Sequence, residues 1–140
     1  MQPRREVPIG RALAAGQGAY FLVTGLWPLF SLKTFYAVTG PKRDGWLVQT
    51  VGSMIACIGS TLLLAARRGA ISPDVRWLAT SSAAALTAVD VIFVRRRRIS
   101  RIYLADAVGE LGLIAGWAFA ARGARALAGG QSETSNAKAS

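Results

Sequence analysis

The chain has 140 residues, 52% of them hydrophobic, and carries 17 lysines and arginines against 7 acidic residues, for a formal net charge of +10. One cysteine and no histidine exclude the usual ligand sets of zinc, haem and most copper sites, and also a Ser-His-Asp or Cys-His nucleophile. The basic residues lie mainly at the ends of apolar runs, which favours interfacial anchoring over nucleic-acid binding. We therefore expect no catalysis, no metal, no cofactor and no nucleic-acid partner.

Four apolar runs dominate the chain, at residues 12–32, 46–66, 75–94 and 99–121. Each is close to the roughly 20 residues with which a helix crosses the hydrocarbon core of a bilayer. Backbone polar groups find no water in lipid, so these runs should be helices. The strict alternation of a transmembrane β-barrel is missing. The sequence predicts an all-α fold, an antiparallel four-helix transmembrane bundle, in a multi-pass membrane protein.

The ends of the chain differ from this central part. Residues 1–11 form a basic lead, residues 12–125 the membrane domain, and residues 126–140 a small, polar tail that we expect to be disordered. The first apolar run is too long for the h-region of a signal peptide, so we expect a retained first helix.

The first span carries a polar stripe of Gln17, Tyr20 and Thr24, which at this spacing is typical of interhelical hydrogen bonding. The segment 33–45 after it contains the turn signals Gly40-Pro41 and Asp44-Gly45 and is predicted to be a loop.

The second span has small residues at four-residue intervals, Gly52, Ala56 and Ser60. Such a row lets another helix approach closely. Packing within the chain is the favoured interpretation, and a homodimer face is the alternative.

The third and fourth spans are joined by a short connection that consists mainly of Arg95, Arg96, Arg97 and Arg98. A connection this short predicts a helical hairpin, and the four arginines are expected to contact anionic lipid headgroups. The side of the membrane is left open, because nine lysines and arginines fall on one side and eight on the other.

Three carboxylates, Asp90, Asp106 and Glu110, fall inside the last two spans. A charged side chain in mid-bilayer costs about 3 kcal/mol or more, so such residues usually face the interior of the bundle and often carry function. Asp106 and Glu110 are four residues apart and share one helix face. Asp90 is expected at a similar depth on the neighbouring helix.

At comparable depths the other helices offer polar and aromatic groups, and the sequence predicts a pocket in this half of the bundle. Its expected ligand-binding residues are Glu110, Asp106, Tyr103, Asp90, Gln49, Ser53, Trp27 and Thr24. The competing interpretation is structural pairing of Asp90 with Arg95 and of Asp106 with Arg101. Glu110 has no basic residue within reach on its own helix, so we expect it to be protonated, hydrogen-bonded or bound to a cationic ligand.

The segments TGLWPL at 24–29, VTGPKRDGWLV at 38–48 and IYLADA at 102–107 resemble a group of small bacterial four-helix membrane proteins. That resemblance implies a bacterial inner-membrane protein and no established activity. In architecture alone the chain is also similar to DoxX-like and emopamil-binding/sigma-2-like membrane proteins. The second group binds sterol-like or cationic amphiphilic ligands through acids in the bundle, for which Asp106 and Glu110 are the natural counterparts.

The leading functional hypothesis is a membrane protein whose carboxylate pocket binds a hydrophobic or cationic small molecule or lipid. A proton-coupled transporter, or a subunit of one, is the first alternative. The second alternative is a structural or assembly protein that has no ligand.

Overall fold

The computed structural model describes residues 8–69 and 71–137, and the side chains within 9–69 and 71–123. Across these residues the chain forms five helices and no strand: α1 (Pro8–Phe30), α2 (Leu32–Thr39), α3 (Gly45–Arg68), α4 (Pro73–Arg95) and α5 (Tyr103–Ala137). The all-α prediction is confirmed, with five helices where the sequence predicts four. Residues 1–7 of the expected basic lead lie outside the described part.

The additional helix is α2, so the prediction of a loop over 33–45 is wrong for its first half. Ser31 breaks α1 with an extended backbone (φ −154°, ψ 91°), and its hydroxyl accepts a hydrogen bond from the amide of Thr34. This is an N-cap, which satisfies an amide that a new helix would leave unpaired. Gly40 ends α2 at φ +87°, a conformation that glycine adopts without strain. The axes of α1 and α2 differ by 116°.

Helices α1 and α3 pack backbone against backbone through glycines. A Cβ atom built on Gly25 would lie 2.5 Å from the carbonyl oxygen of Gly52, and one built on Gly18 would lie 2.8 Å from that of Gly59. Gly18 faces Gly59 and Gly25 faces Gly52, so the two helices run antiparallel. Close approach of this kind depends on small residues at the crossing.

The small-residue row of the second span is therefore used within the chain. Gly52 and Ala56 are buried against α1, whereas Ser60 is exposed and donates a hydrogen bond to the carbonyl of Ala56 on its own helix. A homodimer that used Gly52 and Ala56 would have to displace α1.

Helices α4 and α5 form the second pair, and a polar contact joins it to the first. The amide nitrogen of Gln17 donates to the carbonyl of Ala79 at 2.8 Å, and the indole N–H of Trp117 donates to the amide oxygen of Gln17 at 2.8 Å. Gln17 is fully buried. The expected interhelical role of Gln17 is thereby confirmed. Around it lies the apolar core, made of Ala14, Leu62, Ala65, Ala66, Ile71, Ala79 and Trp117.

Many large hydrophobic side chains also lie on the surface. Large hydrophobic side chains are exposed on all five helices, with Phe30 at 84% and Trp77 at 74%. Helices α3, α4 and the 103–123 part of α5 are each long and apolar enough to cross a membrane, and the bent α1–α2 pair is a fourth candidate span. Lipid-facing surfaces are apolar in this way, whereas monomeric soluble proteins rarely expose large apolar patches. These helices support a multi-pass membrane protein.

Helix α5 continues to Ala137, beyond the predicted end of the fourth span at 121. The segment 126–137 is thus helical where the sequence predicts a disordered tail, and residues 138–140 lie outside the described part. The alanines, leucine and arginines of 121–128 have high helix propensity, which favours the first part of this continuation past the apolar run.

Candidate functional site

A cavity of about 660 Å³ separates the two helix pairs at the end of the molecule away from Gln17. The core holds the pairs together at one end, and the cavity lies between them at the other end. All five helices contribute to the walls, through residues within 20–28, 35–42, 47–55, 86–93 and 99–110. Most of the lining is apolar, with side chains such as Val51, Ile55 and Leu86.

The three carboxylates of the spans all line this cavity. Glu110 is fully buried and Asp90 is 4% exposed. Asp106 lies one helical turn before Glu110 on α5 and is partly buried. The structure thus brings the three acids that the sequence selects, which belong to α4 and α5, to the lining of one cavity.

Their hydrogen bonding is incomplete. Asp106 Oδ1 accepts a hydrogen bond from the hydroxyl of Tyr20 on α1. Both carboxylate oxygens of Glu110 and Oδ2 of Asp90 are buried without a hydrogen-bond partner among the described residues. Buried polar atoms are nearly always paired, because an unpaired one costs free energy. These three oxygens therefore mark a place where a partner from outside the chain would be stabilised.

The alternative pairing of the acids with arginines does not appear in the described contacts. Asp106 is bonded to Tyr20 rather than to Arg101, which precedes the first residue of α5. Arg95 is exposed at the end of α4. Five residues place it about 140° around the helix from Asp90, so it points away from the cavity wall.

Tyr103, Trp27 and Thr24 line the cavity as the sequence predicts, but Gln49 and Ser53 do not. The cavity-facing side of α3 is formed by Val48, Gly52 and Ile55, among others. Gln49 and Ser53 lie about 100° or more from the centre of that face. Ser53 is exposed and donates a hydrogen bond to the carbonyl of Gln49. Placing them in the pocket was wrong, because equal depth in the membrane does not fix the rotation of a helix about its axis.

Two polar residues of the site were not selected from the sequence. Tyr20 was assigned only to the polar stripe of α1, although its spacing from Thr24 already placed it at the level of the acids. Lys42 lines the cavity from the segment after α2, and we call the end of the cavity formed by Lys42, Phe35 and Tyr103 its mouth. Its ammonium group lies 4.9 Å from the ring centre of Tyr103 and 5.6 Å from that of Phe35. No signal in a segment interpreted as a loop indicated this position.

The aromatic groups at this mouth form a connected set. The rings of Trp27 and Phe35 meet edge to face, with centres 5.8 Å apart. The indole N–H of Trp27 donates to the hydroxyl of Thr34 at 2.9 Å, which ties α1 to α2 across the bend. The cavity therefore has an aromatic mouth, an apolar body and carboxylates on its wall.

This arrangement is suited to holding a cation or a proton next to a hydrocarbon group. An ionised carboxylate only accepts hydrogen bonds, and in an apolar setting it favours a positive partner. The aromatic faces at the mouth attract cations as well. No protein-family model, curated protein or solved structure matches this chain, so the resemblances drawn from its sequence stay predictions.

Proposed function

We propose that this protein binds an amphiphilic cation, either a small molecule or a lipid with a cationic headgroup, in the cavity between its helix pairs. In this proposal α1, α3, α4 and α5 cross a bacterial inner membrane as an antiparallel four-helix bundle. The observation that carries the proposal is Glu110, which is fully buried on the cavity wall with neither carboxylate oxygen paired.

The energetic argument starts from that carboxylate. A buried charge without a partner is strongly unfavourable, and a bound cation removes most of the penalty by supplying one. Asp90 and Asp106 add negative charge to the same walls, which favours a cation over a neutral molecule of equal size.

The size and lining of the cavity favour a ligand with a hydrocarbon part. Pockets for small molecules usually enclose about 300–1,000 Å³, and this one has about 660 Å³. Its apolar walls gain free energy from each hydrocarbon group they remove from water or from the interface. An amphiphile with a positive head and an alkyl tail matches both the carboxylates and the apolar walls of the cavity.

The four arginines after α4 have a separate role in the proposal. Arg95, Arg96, Arg97 and Arg98 are all exposed at one end of the α4–α5 hairpin. We assign them to anionic lipid headgroups, which attract exposed basic residues near the membrane surface.

The test uses lauroylcholine and its neutral carbon isostere, 3,3-dimethylbutyl laurate, in which a tert-butyl group replaces the trimethylammonium. Binding to the detergent-purified protein would be measured by competition and by thermal stabilisation. Glu110→Gln should weaken lauroylcholine binding about tenfold or more, as expected for loss of a negative charge that attracts the cationic head through an apolar cavity. Binding of the isostere should not change. Asp74→Asn is the matched control, since Asp74 is exposed at the start of α4 and outside the cavity.

The proposal is wrong if wild type binds both compounds equally, or if Glu110→Gln leaves lauroylcholine affinity unchanged. Binding of neither compound, with the variant as stable as wild type or less stable, would favour the structural or assembly role. Transport of the bound cation, which would require Glu110 and support the transporter alternative, can be followed in vesicles with the same probe.

A further inference from the structure

Lys42 supplies an ammonium group at the mouth of the carboxylate cavity. Besides its two aromatic contacts, its Nζ donates to the hydroxyl of Thr39 at 3.2 Å and to the carbonyls of Thr39 and Gly40 at 3.4 and 3.5 Å. The ammonium is thus held between two rings and the carbonyl end of α2. An ammonium over two aromatic faces is the arrangement by which proteins bind cationic ligands.

The rings that hold this ammonium come from different parts of the chain. Phe35 belongs to α2, and Tyr103 is the first residue of α5. Both line the cavity that also contains Glu110. Lys42 therefore joins α2 to the second helix pair across the opening, at the place where the cationic head of an entering ligand would meet aromatic rings.

The segment that carries Lys42 follows two breaks in the helical structure. Ser31 separates α2 from α1 at a 116° bend, and Gly40 has φ +87° directly before Pro41 and Lys42. Helix α2 itself contains no buried residue. Moving Lys42 off the rings would therefore disturb no buried core.

We infer that Lys42 is an intramolecular competitor for the cation subsite, and that a ligand with a quaternary ammonium head displaces it from Phe35 and Tyr103. The inference rests on the proposed function and adds the regulation of the same site. A quaternary ammonium has no N–H donor and gains little from the carbonyls of α2, whereas it keeps the full attraction of the aromatic faces. The ammonium of Lys42, in contrast, has three oxygen acceptors at the end of α2 besides the two rings, so it keeps hydrogen-bond partners when it loses the rings.

The first experiment measures lauroylcholine affinity in Lys42→Gln. Glutamine keeps donors for the carbonyl end of α2 but removes the charge, so affinity should rise about fivefold, the factor expected for loss of one competing cation–π contact. Lys42→Arg keeps a cation and should not tighten binding. Lys33→Gln is the control for net charge, since Lys33 is exposed on α2 and outside the cavity.

The second experiment observes Lys42 directly by acetylation with a water-soluble amine reagent, followed by peptide mass spectrometry. Saturating lauroylcholine should raise the acetylation rate of Lys42 about fivefold relative to that of Lys33. The neutral isostere should leave the acetylation rate of Lys42 unchanged. In the absence of ligand, Tyr103→Leu should raise the acetylation rate of Lys42 relative to that of Lys33.

The outcomes separate this inference from the proposed function. Tightening in Lys42→Gln alone, with faster acetylation of Lys42 on binding, supports it. Glu110-dependent binding with equal affinity in wild type and Lys42→Gln overturns the inference and leaves the proposed function intact. Equal tightening in Lys33→Gln assigns the effect to surface charge and overturns it too. Absence of lauroylcholine binding in both wild type and Lys42→Gln overturns both proposals.

Discussion

Replacing Gly25 with alanine should destabilise the protein more than any other single methyl group added to α1 at a described glycine. The new Cβ would lie 2.5 Å from the carbonyl oxygen of Gly52 and 2.6 Å from the backbone nitrogen of Ala56. Real contacts of a Cβ are seldom shorter than 3.4 Å, so α1 and α3 would have to separate by roughly 1 Å. A gap of this size forfeits about a quarter to a half of the dispersion energy of each separated contact.

The obstructing atoms are backbone, which cannot rotate aside as a side chain does. We therefore expect the free energy of unfolding to fall by about 2–3 kcal/mol, the upper part of the usual range for overpacking. Gly16→Ala is the matched control on the same helix, because nothing lies within 4 Å of its Cβ position. There the higher helix propensity of alanine should leave stability unchanged or raise it by up to about 1 kcal/mol.

The assay is reversible unfolding in mixed micelles, followed by far-ultraviolet circular dichroism. If Gly25→Ala and Gly16→Ala unfold at the same denaturant fraction, the backbone contact between α1 and α3 is refuted. A loss of stability confined to Gly25→Ala would support the close approach of α1 and α3 at this residue.

Two further changes probe the polar interior by the same assay. Gln17→Leu should lower the free energy of unfolding by about 1–2 kcal/mol, because two buried hydrogen bonds between the helix pairs are lost and the indole N–H of Trp117 is left unpaired. Gln49→Leu is the control. Equal stability of the two variants would contradict the hydrogen-bonded link that Gln17 makes between the helix pairs. Glu110→Leu should raise the stability of the ligand-free protein by about 1–3 kcal/mol while abolishing lauroylcholine binding, because it removes a buried group without a partner. A decrease in stability would instead mark Glu110 as a structural residue.

The sequence was informative about the apolar helices for a simple physical reason. Long apolar runs are stable mainly in lipid, where the backbone N–H and C=O groups must form hydrogen bonds within the helix. The all-α composition and the three or four candidate spans follow from that requirement. The small helix α2 was missed because its apolar content is short, and its N-cap at Ser31 depends on a single hydroxyl that resembles any loop serine.

The selection of Asp90, Asp106 and Glu110 was possible because a carboxylate is rare and costly in an apolar run. Their depth along the helices could be counted, and the structure places all three on one cavity. Their hydrogen-bond partners could not be predicted from positions along the chain. The bond from Tyr20 to Asp106 joins residues 86 positions apart, and it replaced the local arginine pairing that sequence proximity suggested.

The sequence by itself determined where the long apolar helices lie and which acidic groups fall within them, because both follow from the local cost of placing polar groups in lipid. Only the tertiary structure decided the rotation of each helix, which turns Gln49 and Ser53 away from the cavity and directs Gly52 towards α1. It also decided that Lys42 lies over aromatic rings at the cavity mouth. Rotation and long-range contact depend on how small and large side chains fit between helices, and that fit is a property of pairs of surfaces rather than of any one segment.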